Sequence, residues 1–227
     1  MSSSWIVPAI EYYKIFFGNQ ASVVFDIGTR DGKDASLIST SLNSDLVYAI
    51  EARKDAADMV SKRYPHFKVI STAISDYDGE TEFYEIISDN ADYVGSSSIY
   101  NNKFERPEYP HKIITVPVTT MKAVIESNNL SDMIIDFVKV DIEGYTYQLL
   151  SGMKDYINNV KLFHLETETD STHDNHKNNW EVADFMRSNG FVLVAKQYEW
   201  GEDIEDQVWV NKRLVTNTSE AAKWQTF

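Results

Sequence analysis

Two short apolar segments that each end on an acidic residue constrain the fold of this chain more than any other feature. The first reaches Asp26 and leads into a turn that contains Gly28 and Gly32, and the second ends on Glu51. Between them, residues 32–43 have a helical pattern. The order predicts a β-α-β unit with a ligand-binding loop after the first strand and a carboxylate at the tip of the second.

The positions of the acids and glycines also limit which ligand the loop can bind. A carboxylate at the tip of the second strand suits the two hydroxyls of a ribose, because it can accept both hydrogen bonds. Gly28 and Gly32 do not form the G-x-G-x-x-G spacing of dinucleotide dehydrogenases. The pattern therefore favours S-adenosylmethionine (SAM) over a nicotinamide dinucleotide.

Composition bounds the class of protein. The chain has 227 residues, of which 43% are hydrophobic, which is enough for one globular α/β domain. It has no cysteine, so disulfides, thiolate zinc sites and thiol nucleophiles are excluded. A net charge of -14 disfavours nucleic acid and anionic membranes as partners. We see no signal peptide and no membrane-spanning apolar run, so we expect a cytoplasmic protein.

The hydrophobic pattern predicts alternating strands and helices within one domain that spans 1–227. The predicted strands are 22–27, 46–51, 67–72, 81–87, 112–118, 134–141, 160–166, 191–197 and 207–212, and the predicted helices are 5–17, 32–43, 54–64, 119–129, 145–157 and 178–189. We therefore expect an α/β fold with a mostly parallel seven-stranded sheet, helices on both faces and a C-terminal antiparallel hairpin.

Two segments outside this sheet have open roles. The N-terminal helix, within 1–18, could be a lid over the cofactor, the surface of a homodimer, or plain packing. Residues 88–111 form a long loop, and we expect it to cover the active site, because loops of this length in compact domains are usually functional or disordered.

Several segments, taken together, resemble the FkbM family of SAM-dependent methyltransferases over about residues 22–170. They are Phe25-Asp26-Ile27-Gly28-x-x-x-Gly32, Ala49-Ile50-Glu51-Ala52, Ala73-Ile74-Ser75-Asp76-x-x-Gly79-x-x-x-Phe83, Gly95-Ser96-Ser97-Ser98, Val116-Pro117-Val118-Thr119-Thr120, Val138-Lys139-Val140-Asp141-Ile142-Glu143-Gly144 and Leu149-Leu150-x-Gly152. The resemblance implies a class I, Rossmann-like methyltransferase fold. It also implies methyl transfer, typically to a hydroxyl oxygen of a sugar or secondary metabolite.

The chain departs from the family pattern at Thr29-Arg30-Asp31, Met121-Lys122 and Thr146. These departures concern the identity of the acceptor more than the fold.

Each part of SAM needs a different partner. The turn from Gly28 to Gly32 can approach the amino-acid tail, Asp26 can bind the ammonium, Glu51 the ribose and Asp76 the adenine amino group. The other residues in the predicted cofactor-binding set are Arg30, Asp31, Ala52, Ala73, Ser75, Ser97 and Asp141. The alternative is that Asp26 and Glu51 only cap helices at strand–helix turns.

The predicted strand 134–141 should lie beside the first strand and carries the candidate catalytic groups. A hydroxyl nucleophile must lose a proton, and Asp141, followed by Glu143, is the candidate general base. Lys139 could pair with one of them and fix its charge. Glu166, on the next strand, should lie beside Asp141 and could bind substrate or a metal ion. The alternative is a structural ion pair.

Weaker candidates surround these groups. His164 is more readily a core residue than a base. A polar group after the strand could hold a divalent cation, although a solvated loop is favoured and no metal is predicted; it consists of Asp170, His173, Asp174 and His176. Four aromatic residues could form a wall for a sugar ring or an aromatic acceptor, or only anchor the loop; they are Tyr93, Tyr100, Phe104 and Tyr109.

The sequence therefore predicts a SAM-dependent O-methyltransferase whose acceptor is a sugar, a glycan or a small polyhydroxylated metabolite. Two alternatives remain open, an N-methyltransferase acting on a small molecule and a SAM-binding module without transfer activity.

Overall fold

The structure is a computed structural model, and it describes residues 6–87, 97–99, 110–169, 176–199 and 203–217. The helices and strands, in chain order, are α1 Ile6–Phe17, β1 Val23–Ile27, α2 Lys33–Leu42, β2 Leu46–Glu51, α3 Lys54–Arg63, β3 Lys68–Ser71, β4 Ala73–Ser75, β5 Gly79–Ile86, β6 His111–Thr120, α4 Met121–Ser127, β7 Ile135–Val140, α5 Thr146–Gly152, a 3₁₀ helix Lys154–Asn159, β8 Val160–Glu168, α6 Asn179–Ser188, β9 Phe191–Glu199 and β10 Ile204–Asn211.

A seven-stranded sheet with the order β3-β2-β1-β7-β8-β10-β9 forms the centre of the molecule. Strands β3, β2, β1, β7 and β8 run parallel, and β10 is antiparallel to both of its neighbours. Because β1 and β7 are covered on both faces, every residue of each is buried, which explains their nearly continuous apolar sequences. The predicted α/β fold, with its parallel sheet and C-terminal hairpin, is confirmed.

Helices cover both faces of this sheet. On one face, α1 and α2 pack on apolar side chains that include Val24, Phe137 and Leu162. On the other face, α4, α5 and α6 pack on side chains that include Phe25 and Phe163. Alternation along each strand therefore assigns Val24 and Asp26, and likewise Phe137 and Lys139, to the α1–α2 face.

A second sheet of three strands has the order β4-β6-β5. It follows β3 directly, and the Thr72 backbone N–H donates to the Glu51 carbonyl oxygen at 3.0 Å, so β4 begins beside the tip of β2. Strands β5 and β6 enclose the predicted loop 88–111, of which residues 88–96 and 100–109 lie outside the described residues.

The N-terminal helix packs on the sheet through Ile6, Ile10 and Tyr13, which are buried. The Tyr13 hydroxyl donates to Asp136 Oδ1 at 2.8 Å, at the N-terminal end of β7. This placement agrees with the packing alternative for this helix. Across the described ranges, no helix has the length and apolar character needed to cross a membrane.

Two helix predictions were wrong in extent. The predicted helix 145–157 is interrupted, because Lys154 has a left-handed φ of 53°, which separates α5, ending at Gly152, from the 3₁₀ helix Lys154–Asn159. Helix α4 begins at Met121, two residues later than the predicted helix 119–129. Thr120 still belongs to β6, and its hydroxyl caps α4 by accepting a hydrogen bond from the Ala123 N–H at 3.1 Å.

Candidate functional site

The glycine turn after β1 is wedged between the ends of β2 and β7. The backbone N–H of Gly28 donates to the Ile50 carbonyl at 2.9 Å, and the Asp141 N–H donates to the Ile27 carbonyl at 2.9 Å. Gly28 has a left-handed φ of 78°, and a Cβ there would collide with the Asp141 carbonyl oxygen. This position therefore requires glycine, which lets the turn and the β7 end touch.

Glu51, at the end of β2, binds the backbone on both sides of it. Its Oε2 accepts from the Arg30 N–H at 3.0 Å, and its Oε1 accepts from the Arg53 N–H at 2.9 Å. Burial raises the pKa of Glu51, although these two backbone donors oppose the rise. The carboxylate is thus held rigidly at the tip of β2, and each oxygen retains capacity for another donor.

Asp26 belongs to an ion-pair network centred on Lys139. Its Oδ2 accepts from the Thr29 hydroxyl at 2.6 Å and from the Ala35 N–H at 3.1 Å. Lys139 Nζ lies 3.6 Å from Asp26 Oδ1 and 3.3 Å from Asp34 Oδ2. Both Asp26 and Lys139 are almost fully buried, so their ion pair lies below the glycine turn and is shielded from solvent.

Lys139 also reaches forward to Asp141, whose Oδ2 lies 3.1 Å from its Nζ. Burial would lower the pKa of Lys139, but the carboxylates of Asp141, Asp26 and Asp34 outweigh burial and raise it well above its usual value. Lys139 is therefore a permanent cation, and it orients Asp141, whose side chain is 31% exposed.

Three carboxylates meet where β7 and β8 end. Lys139 pairs with His164 across these parallel strands, so the register brings Glu166 beside Asp141. Carboxylate oxygens of Asp141, Glu143 and Glu166 all lie within 4.8 Å of one another. Glu143 follows the strand in a left-handed conformation, with φ 50°. The acidic cluster, as we call these three residues, is half-buried and contains oxygens suited to a cation or to hydroxyl donors.

Glu168 adds a fourth acid to this region. It is 1% exposed, and its carboxylate accepts a hydrogen bond from the Gly144 backbone N–H. Burial raises the pKa of Glu168 to about 8, with a contribution from the charge of Asp141. Burial, followed by repulsion from Asp141, raises the pKa values of Glu143 and Glu166 well above the usual range. Negative charge at this end of the sheet is therefore poorly compensated.

The structure thus brings most of the predicted site residues to one edge of the sheet. The glycine turn, Glu51, Lys139 and the acidic cluster are connected by the contacts above. Ala73, Ser75 and Asp76 lie on or directly after β4, where Ser75 Oγ is 3.2 Å from Asp76 Oδ1. Asp31 holds the first turn of α2 by accepting from the Lys33 N–H at 3.1 Å.

Other predicted residues have structural contacts. The Ser97 hydroxyl accepts from the Ile86 N–H at 3.0 Å, while the Ser98 hydroxyl donates to the Glu143 carbonyl at 2.6 Å. Ala52 packs against the core of the second sheet. His164 is buried, with Nε2 3.1 Å from Asp206 Oδ1, as a core histidine would be.

Several candidates from the loops cannot be placed. Among the proposed metal-site residues, only His176 is described, and its Nε2 lies 2.8 Å from the Thr169 carbonyl oxygen. The residues outside the described ranges are Asp170, His173, Asp174, Tyr93, Tyr100, Phe104 and Tyr109.

Two acids of this region were missed by the sequence prediction. Asp34 lies in the first turn of α2, and an acid in the first turn after a glycine loop was the signal that could have identified it. Asp206 lies opposite Glu166 in the antiparallel pairing of β10 with β8. No local pattern indicates that pairing, because it depends on the register of the hairpin.

Comparison with known proteins agrees with this architecture. The sequence profile described as "Methyltransferase FkbM domain" matches residues 26–193. No curated protein has a matching sequence.

The fold is shared with solved structures of very different sequence. M. capricolum TrmK, solved with S-adenosylhomocysteine (SAH), is 10% identical with a TM-score of 0.53, covering 93% of this chain and 69% of that one. Streptococcus pneumoniae Sp1610, solved with SAM, is 11% identical with a TM-score of 0.54, covering 98% and 78%. Magnesium protoporphyrin IX methyltransferase of Synechocystis PCC 6803, with bound SAM, is 8% identical with a TM-score of 0.52, covering 91% and 77%.

Proposed function

This chain belongs to the FkbM family of SAM-dependent methyltransferases, and we propose that its acceptor is a hydroxyl oxygen of a sugar, a glycan or a small polyhydroxylated metabolite. The observation that carries the proposal is the acidic cluster at the ends of β7 and β8, directly beside the glycine turn. Carboxylate oxygens accept hydrogen bonds from hydroxyls and can take a proton from one of them.

The cofactor would lie across the turn and the tip of β2. Glu51 is fixed by two backbone donors, so it is preorganised to accept the two ribose hydroxyls. Direct contact between Asp26 and the ammonium of the cofactor stays a prediction. In the structure, Asp26 is fully buried and supports Thr29 and Lys139, which suggests that it positions the turn.

The acceptor would then lie over the acidic cluster. Methyl transfer is an in-line displacement, so much of the rate enhancement comes from holding the acceptor oxygen against the methyl group. Asp141 is the proposed general base, because it is partly exposed and oriented by Lys139. Glu166 and Glu143 would accept hydrogen bonds from neighbouring hydroxyls of a polyhydroxylated acceptor.

The charge of the site limits the acceptor class. Four acids cluster near the proposed acceptor position, and the whole chain has a net charge of -14. Like charges in a half-buried site would repel phosphates. We therefore propose a neutral or cationic acceptor and exclude nucleic acid from the proposal.

The test is transfer of an isotopically labelled methyl group from SAM to matched acceptors. A panel of neutral monosaccharides and oligosaccharides would be compared with the corresponding amino sugars, whose nitrogen is an alternative acceptor. We expect label on a hydroxyl oxygen, identified by mass spectrometry of the product. Label found exclusively on nitrogen would overturn the proposal in favour of N-methylation. SAH binding without transfer to any hydroxyl acceptor would instead support a non-catalytic module.

A further inference from the structure

The acidic cluster has the dimensions of a site for one divalent cation. Its three side chains each present a carboxylate oxygen, and these atoms all lie within 4.8 Å of one another. Oxygen ligands around Ca²⁺ lie about 2.3–2.6 Å from the ion, and those around Mg²⁺ about 2.0–2.1 Å. The 4.8 Å limit lies within two Ca²⁺–oxygen bond lengths, about 5.2 Å, and exceeds two Mg²⁺–oxygen bond lengths, about 4.2 Å, so Mg²⁺ would require the side chains to move closer together.

Protein cations do not neutralise this cluster. Lys139 is the cation nearest to Asp141, but it divides its contacts among Asp141, Asp26 and Asp34. Among the residues that the structure describes, no lysine or arginine forms an ion pair with Glu143 or Glu166. Two of the three carboxyl groups at this half-buried position therefore have no cationic partner among the described residues.

A second observation, independent of the spacing, also points to a ligand. Glu168 is 1% exposed and lies against the turn that carries Glu143, yet within the described part of the chain its Oε1 has no hydrogen-bond partner. Glu166 Oε1 is likewise buried and has no partner among those residues. Buried carboxylate oxygens are normally hydrogen-bonded, and each one left unsatisfied costs about 1–3 kcal/mol or more. One of these two oxygens belongs to the acidic cluster, and together they indicate that this end of the sheet binds a cation or a hydrogen-bond donor.

We propose that Asp141, Glu143 and Glu166 bind a hard divalent cation of the Mg²⁺, Mn²⁺ or Ca²⁺ class, with Glu168 contributing negative charge beside it. The ligand set consists of carboxylate oxygens, which suits these ions rather than softer metals that prefer sulfur or imidazole. The half-buried position leaves coordination positions for water or for hydroxyls of the acceptor.

The role of this ion in methyl transfer rests on the proposed function. An ion at the cluster would bind the acceptor hydroxyl as a Lewis acid, lower its pKa and orient it toward the methyl group. Asp141 would then combine two tasks, holding the ion and accepting the hydroxyl proton as the oxygen–methyl bond forms, the sulfur–methyl bond breaks and SAH leaves. Binding of the ion, in contrast, does not depend on the identity of the acceptor.

The experiment measures Mn²⁺ binding by electron paramagnetic resonance to the full chain, treated with chelator and then freed of it, in the absence of SAM and acceptor. We expect one Mn²⁺ per chain, displaced by Mg²⁺ or Ca²⁺. Glu166→Gln should weaken binding at least tenfold. Asp184→Asn removes the same charge from an exposed helix position, where the side chain is 72% exposed, and should leave binding unchanged.

A second variant, Glu143→Gln, should weaken Mn²⁺ binding to a similar extent. It keeps the proposal testable if Glu166→Gln does not fold. No stoichiometric binding at millimolar Mn²⁺, or binding that survives unchanged in both folded variants, would overturn the proposal. Because no cofactor or acceptor is present, failure of ion binding leaves the proposed methyl transfer standing. Failure of methyl transfer likewise leaves the ion site standing.

Discussion

Strand β7 has a buried acidic residue near its beginning and an acidic cluster just past its end, and the protein surrounds them in opposite ways. At the beginning, Asp136 accepts from the Tyr13 hydroxyl at 2.8 Å, the Ser22 and Val23 N–H groups at 2.8 and 3.0 Å, and Lys161 Nζ at 2.6 Å. The donors come from α1, from the start of β1 and from β8. This carboxylate is fully partnered within the protein.

At the other end, the acidic cluster has one close protein cation, and among the described residues Glu166 Oε1 and the neighbouring Glu168 Oε1 have no hydrogen-bond partner. Neutral side chains at these positions would make the folded state more stable, because uncompensated buried charge is destabilising. The number of hydrogen-bond and ion-pair partners, rather than burial or acidity, distinguishes Asp136 from the acidic cluster. This distinction can be tested by substituting each end of the strand separately.

The largest expected effect is on turnover by Asp141→Asn. The substitution removes the proposed base or ion ligand while keeping the size of the side chain, and we expect kcat to fall by about 10²–10⁴-fold. The affinity for SAH, measured by calorimetry, should change by less than about threefold, because Asp141 lies on the acceptor side. The free energy of unfolding should fall less than in Asp136→Asn, because Lys139 keeps its contacts with Asp26 and Asp34.

Undiminished turnover in Asp141→Asn would make this residue structural and remove the contrast between the two ends. The exposed variant Asp184→Asn serves as the control for loss of one charge.

Asp136→Asn should produce the complementary result, a loss of stability without a loss of function. The variant leaves Lys161 without its ion-pair partner and disturbs the hydrogen bonds that hold α1 and the start of β1. We expect a loss of about 2–4 kcal/mol in the free energy of unfolding, measured by urea denaturation. At temperatures where the variant is folded, kcat/KM should match that of the unsubstituted chain. A stable variant with impaired turnover would contradict the comparison.

The sequence predicted the parallel core well, because strands covered on both faces must be apolar along their whole length. The segments around Phe25 and Val138 could therefore be identified as neighbouring buried strands. The acids that follow them were predicted at one edge for the same topological reason, and Glu166 does lie beside Asp141.

What the sequence could not give depends on contacts between distant segments. The position of β10 between β8 and β9, and hence of Asp206 opposite Glu166, follows from an antiparallel register that no local pattern specifies. The close approach of Gly152, the last residue of α5, to Ser75 of the second sheet also joins segments that are distant in sequence. The difference in the number of partners between Asp136 and Asp141 is likewise visible only once their donors are placed.

Glu51→Ala should weaken cofactor binding by about 10–100-fold, because it removes a charged acceptor of both ribose hydroxyls. Glu51 is an intermediate case in the comparison, since backbone N–H groups of Arg30 and Arg53 bind it without saturating its oxygens. Calorimetric titration with SAH, with NAD as a ligand control, measures the change. The SAH affinity of Glu51→Gln, which keeps one acceptor oxygen, should fall between those of Glu51→Ala and the unsubstituted chain. Unchanged SAH affinity in Glu51→Ala would remove this residue from the cofactor site.

The smallest expected effect is a pH dependence of the free energy of unfolding that comes from Glu168, beside the acidic cluster. Glu168 has a pKa of about 8 in the folded protein, against an ordinary value of 4.5. Between these values the folded state binds more protons than the unfolded state, so the free energy of unfolding should fall as pH rises. The slope from this one group is at most about 1.4 kcal/mol per pH unit.

Urea denaturation from pH 5 to pH 8, with chelator present, should show this decline in the unsubstituted chain and a shallower one in Glu168→Gln, whose amide does not ionise. Asp184→Asn should keep the original slope. Parallel slopes for all three proteins would mean that Glu168 finds a compensating partner in solution. The two ends of the strand would then differ less in electrostatics than their hydrogen bonds imply, and the case for a ligand at the acidic end would rest on the spacing of the acidic cluster and on Glu166 Oε1.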